Sequence, residues 1–64
     1  MNKRFIEFGG NYININNIEV IYKINSNMYS IFIKTITNTK FGEHYSTKEE
    51  RDKRFDDVIF TLNK

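Results

Sequence analysis

The apolar residues of this 64-residue chain change their spacing once, at Thr47, and that change is the strongest constraint on its fold. From Phe5 to Tyr45 they recur with the period of two that a strand imposes, in short runs separated by Gly, Asn, Ser and Thr. Beyond Thr47 they fall at Phe55, Val58, Ile59 and Leu62, the i, i+3, i+4, i+7 stripe of an amphipathic helix. Thr47-Lys48-Glu49-Glu50 opens that segment as a capping box, in which the Thr hydroxyl accepts from an early helical amide and the Glu reaches back. Acidic residues in the first turn and Lys64 at the end suit the helix dipole. The spacing therefore predicts a small α+β fold in a single domain, residues 1–64. An antiparallel meander of about five strands fills 1–46, and one C-terminal helix over 47–63 packs on one of its faces.

Turn residues set the expected registers. Gly9-Gly10 suits a two-residue primed turn, which puts Phe8 opposite Asn11, Glu7 opposite Tyr12 and Ile6 opposite Ile13. Asn16-Asn17 then breaks the chain before Ile18. A loop around Ser26-Asn27 pairs Ile24 with Tyr29, Tyr22 with Ile31 and Val20 with Ile33, and sets Glu19 across from Lys34. A turn at Asn38-Thr39 pairs Ile36 with Phe41, Lys34 with Glu43 and Phe32 with Tyr45; a three-residue loop is the alternative there. In these registers Val20, Tyr22, Ile24, Tyr29, Ile31 and Ile33 share the face that the helix covers.

The opposite face then presents Ile21, Phe32, Ile36, Phe41 and Tyr45 in adjacent positions, ringed by Glu19, Lys23, Lys34 and Glu43. An apolar patch with a charged rim has the character of a partner surface. A twisted sheet curled into a half-barrel would instead turn some of these side chains inward. Phe60, about 140° around the helix from Phe55, is a second candidate anchor for a partner.

The composition narrows the chemistry. There is no Cys, which excludes a disulfide framework, a thiolate metal site and a thiol nucleophile. His44 is the only His, and its neighbours Glu43 and Tyr45 point to the opposite face of a strand. Gly9-Gly10 is followed by neither Lys-Ser/Thr nor a helix, so it is not a phosphate loop. Asp52 and Asp56, one helical turn apart beside Lys48, Arg51 and Lys53, read as surface ion pairs rather than a cation site. The expectation is a non-enzymatic protein with no cofactor and no metal.

The net charge of +2 is spread along the chain rather than gathered in a basic arm. Tyr12 with Lys23, Lys34 and Lys40 offers an alternative reading, a stacking platform for single-stranded nucleic acid. The interleaved Glu7, Glu19 and Glu43 oppose it. No apolar run approaches the ~18 residues of a membrane span, and the start is not that of a signal peptide, so a cytoplasmic protein is expected.

The stretches "FIEFGGNYININNIEVIYKI" and "STKEERDKRFDDVIFTLNK" resemble a pattern found in short uncharacterised proteins of low-GC bacteria and their phages. There a strand, a Gly turn and a "YIN…NI…I" segment precede a hairpin and a Thr-capped "EER" helix. The resemblance implies a sheet-plus-helix fold. By analogy with small phage proteins it implies an inhibitor of a host system, such as an anti-CRISPR-like counter-defence protein. Such a protein acts on a protein partner or as a homodimer, in the cytoplasm of a bacterium or phage-infected host.

Overall fold

The computed structural model describes residues 4–63. The elements follow in the order β1 (Phe5–Phe8), β2 (Asn11–Asn14), a 3-10 turn (Ile15–Asn17), β3 (Ile18–Asn25), β4 (Tyr29–Thr35), β5 (Lys40–Tyr45) and α1 (Lys48–Leu62). Among the described residues β1 and β2 form one antiparallel sheet, and β3-β4-β5 form another in sequence order. This is the α+β arrangement that the spacing predicts, with its five strands divided between two sheets and not closed into a barrel. Lys64, expected to complement the helix dipole, lies outside the described residues.

The first hairpin keeps its expected register, with Ile6 opposite Ile13, Glu7 opposite Tyr12 and Phe8 opposite Asn11. Gly9 and Gly10 take φ of 59° and 78°, the left-handed pair that a primed turn demands. Ile6, Phe8 and Ile13 are buried while Phe5 and Tyr12 are exposed. The strand stops at Asn14 because its Oδ1 accepts the Asn16 N–H at 2.9 Å, a local bond that competes with the ladder.

The larger sheet departs from expectation. Ile21 pairs with Ile33, Tyr22 with Phe32 and Lys23 with Ile31, one residue from the expected register. Across the other edge of β4, Ile33 pairs with Phe41, Phe32 with Gly42, Ile31 with Glu43 and Tyr29 with Tyr45, a shift of three. An odd shift exchanges the faces of the incoming strand.

Both shifts originate in three-residue loops. Asn25 pairs with Tyr29, leaving Ser26, Asn27 and Met28 in the turn, where the Ser26 N–H donates to Met28 O at 3.2 Å. Residues 36–38 form the next turn. Asn38 adopts a left-handed φ of 68°, and the Thr35 N–H donates to Thr39 O at 2.9 Å. Thr35 Oγ1 also lies 2.9 Å from Thr37 Oγ1, fixing the loop from within.

Helix α1 starts where the capping box predicts. Thr47 Oγ1 accepts the Glu50 N–H at 3.2 Å and donates to Glu50 Oε1 at 3.0 Å, so the Glu holds the cap through the hydroxyl rather than the Thr47 amide. Val58 is fully buried against a core of Ile6, Phe8, Ile13, Ile31 and Ile33, with Phe55 and Leu62 packed beside it. The helix and the first hairpin together cover one face of β3-β4-β5.

Candidate functional site

The other face of that sheet is a grid of three rows, read across β3, β4 and β5: Val20-Lys34-Lys40, Tyr22-Phe32-Gly42 and Ile24-Ser30-His44. Its edge residues stand in solvent, Val20 with 42% and Ile24 with 40% of their surface exposed. In the middle row the Tyr22 and Phe32 rings stack at 5.7 Å between centroids, 28° from parallel. Phe32 meets the His44 ring edge-on at 5.8 Å, and Lys40 Nζ lies 5.7 Å from the Phe32 centroid.

Gly42 permits this arrangement. A Cβ there would lie 2.7 Å from Phe32 Cε1, so the absence of a side chain lets the ring lie across β5 and shield the glycine backbone. Below it, Ser30 Oγ and His44 Nδ1 are 2.7 Å apart. Ile24, Met28, Phe32 and His44 line a shallow, open hollow of about 450 Å³ at this end of the grid.

The register decides which expected site residues assemble. Phe32 lies on the open face. Ile21, Phe41 and Tyr45 do not join it, because the odd shifts place them on the covered side, packed against the core. The five-residue patch expected around Phe32 is thus corrected to Val20, Tyr22, Ile24, Phe32 and His44. Ile36 sits in the β4–β5 loop, exposed and outside the ladder, its N–H donating to Asn17 O at 2.8 Å. Phe60 is exposed on α1, away from buried Val58.

Of the alternative nucleic-acid set, only Lys34 and Lys40 share the open face. Tyr12 lies on the first hairpin. Lys23 points toward α1, 3.7 Å from Asp52 and 4.8 Å over the Phe55 ring. Tyr22, Val20, Ile24 and His44 were not legible as site residues, although β3 carries apolar side chains on both of its faces much as β4 does.

On the covered side, charge is drawn inside and held. Arg51 retains only 2% of its surface exposure. Its Nη1 donates to Asn25 Oδ1 at 2.8 Å and Ile24 O at 3.3 Å, and its Nε donates to Asp52 Oδ1 at 2.7 Å. Its guanidinium also lies 5.5 Å from the Tyr29 ring centroid. Asp52 in turn accepts from Lys48, and these bonds hold its carboxyl down at about 2.

Glu43 anchors the opposite end. Its carboxylate accepts from Arg54 at 2.9 and 3.2 Å, from the Gly9 N–H at 3.0 Å and from the Tyr45 hydroxyl at 2.7 Å. Burial alone would raise this carboxyl, but the bonds from Arg54, Gly9 and Tyr45 outweigh it and hold it below its ordinary value. Burial and the bond to Glu43 push the Tyr45 phenol up to about 12. Arg54 Nη2 also donates to Glu7 O at 2.7 Å, tying the hairpin to the helix.

The Ser30–His44 pair is chemically limited. Ser30 is buried, and among the described residues no carboxylate hydrogen-bonds the His44 ring to orient it as a base. Among the described residues no group of three or more His, Cys, Asp or Glu side chains is placed to hold a metal ion. No helix among them is long and apolar enough to cross a membrane. Comparison with protein-family models, curated proteins and solved structures returns no match to this chain.

Proposed function

We propose that this chain is a non-enzymatic protein-interaction module that binds through the open face of β3-β4-β5. The observation that carries this reading is the aromatic cluster of Tyr22, Phe32 and His44 beside exposed Val20 and Ile24, an aromatic centre with an aliphatic edge on one sheet face. The resemblance to short proteins of low-GC bacteria and their phages supplies the setting: a cytoplasmic inhibitor of a host system, of the counter-defence, anti-CRISPR-like kind. The test is capture from the lysate of such a host by tagged wild type and by Tyr22→Glu and Phe32→Glu, each checked for folding by circular dichroism. A partner retained by the wild type and lost from both folded variants is expected. Equal capture by all three, or loss only on Phe60→Glu, would overturn the reading.

A second reading is favoured by Lys40 over the Phe32 ring and Lys34 in the same row: bases stacking on Tyr22 and Phe32 with phosphates on the lysines. It requires a single-stranded oligonucleotide to bind at low salt with an affinity that falls steeply as salt rises.

A further inference from the structure

We propose that two copies of this chain join along β3 through a two-fold antiparallel ladder centred on Tyr22, making one six-stranded sheet with a continuous open face. The proposal goes beyond the reading of the open face as an interaction surface: the strand edge beside that face takes a second copy.

Among the described residues β3 pairs only with β4, so its outer edge presents alternate unpaired N–H and C=O groups. Natural edges are blunted by proline, by bulges or by charges that guard the strand. This chain has no proline. The β3 bulge lies between Ile18 and Val20, which leaves the following stretch regular. Lys23 is turned back onto its own domain by Asp52 and Phe55 rather than over the edge.

Self-complementarity selects a second copy and a single register. The regular stretch runs from Val20, after the bulge, to Asn25, before the turn, and an axis at Tyr22 or Lys23 lies nearest its middle. A two-fold axis at Tyr22 sets that residue against its own copy and each exposed Val20 against the other chain's exposed Ile24. On the reverse side the Lys23 stem lies beside the other chain's Ile21. Moving the axis to Lys23 would oppose two like charges, and moving it to Ile21 would run the ladder into the bulge.

Stacking face to face offers little area, and what favours the edge is its unpaired backbone. Three strands about 4.8 Å apart and five residues about 3.3 Å apart give each open face about 250 Å². A standard interface needs about 800 Å² per partner. Edge pairing adds backbone hydrogen bonds and doubles the platform available to any third molecule.

Sedimentation of the full chain at graded concentration tests this, with Val20→Lys, Ile24→Glu, the Val20→Lys/Ile24→Glu double variant and Phe32→Glu, each verified folded. A wild-type dimer is expected. Each single edge variant should weaken it by about tenfold or more, and the double variant should recover most of that loss because each Lys then faces a Glu. Phe32→Glu should leave it within about threefold. A monomeric wild type, a double variant no better than the singles, or a dimer lost on Phe32→Glu would overturn the edge ladder. A monomer that still captures a host protein through Tyr22 and Phe32 would overturn the ladder while leaving the proposed function standing.

Discussion

The two faces of the β3-β4-β5 sheet reverse the usual division between charge and apolar surface. On the covered side two arginines, a lysine and a glutamate lie among Ile31, Ile33 and Val58, each with a specific partner. On the open side Val20, Tyr22, Ile24 and Phe32 face water with two lysines beside them. A chain this small buries only ~60% of its unfolded surface and cannot fill a core with aliphatics alone. Long cationic side chains complete the covered layer, their stems packed and their heads bonded to strand-end carbonyls and carboxylates. Among the apolar groups left outside, Val20, Tyr22, Ile24 and Phe32 form a coherent set in adjacent rows, which fits a surface retained for binding.

Adjacent residues break this contrast most sharply. Ile33→Glu places a charge in a fully buried site at a cost of several kcal/mol, comparable to the whole stability of a small domain, and should leave the chain unfolded. Phe32→Glu, one residue away, should cost about 1 kcal/mol and keep the fold. Circular dichroism and urea titration of both distinguish them. Next comes Arg51→Ala, which empties a fully buried side-chain site and removes a donor to the buried Ser30 carbonyl, and should cost about 3 kcal/mol in urea midpoint analysis.

The glycines give a smaller, graded test. A Cβ on Gly9 would lie 2.8 Å from Gly42 O, and the residue sits at positive φ, so Gly9→Ala should cost about 2–3 kcal/mol. Gly42→Ala clashes with the Phe32 ring, which can swing into solvent, and meets His44 Nε2 at an ordinary 3.6 Å, so about 1 kcal/mol or less is expected.

The smallest effect is that of pH. Because Glu43 is held below its ordinary 4.5, the folded state favours its carboxylate. That contribution is complete above 4.5 and is lost as pH falls through the depressed value. Tyr45, raised from 10.0 to about 12, favours the neutral phenol, so its contribution is lost as pH rises across that interval. Glu43→Gln should flatten the acid limb of a denaturation–pH profile, and Tyr45→Phe the alkaline limb.

How much of this was legible depended on what fixed each register. Gly9-Gly10 admits one turn, so the first hairpin was readable residue by residue, as was the Thr47 cap. The β3–β4 and β4–β5 turns contain no glycine, and Ser, Asn and Thr accept two- or three-residue loops alike. The β3–β4 loop gained one residue, the β4–β5 loop both lengthened and moved back to residues 36–38, and each odd shift moved a whole strand to the other face. The apolar excess of β4 is visible in the sequence, and alternation alone sets Phe32 on the face opposite Ile31 and Ile33. Its companions are not set this way, because Ile21 and Tyr22 are equally apolar and only the ladder chooses between them. Arg51 stands four residues before Phe55, one turn earlier on the same stripe, and the stripe could have flagged it; charge alone hid it.

The most direct test is a set of cross-strand nuclear Overhauser contacts in the labelled protein. The Tyr22 ring should show contacts to the Phe32 ring, and the Ile21 methyls to Ile33 and Phe41. Contacts from Tyr22 to Ile31 or Ile33 methyls would return Tyr22 to the core, and the open face described above would not exist.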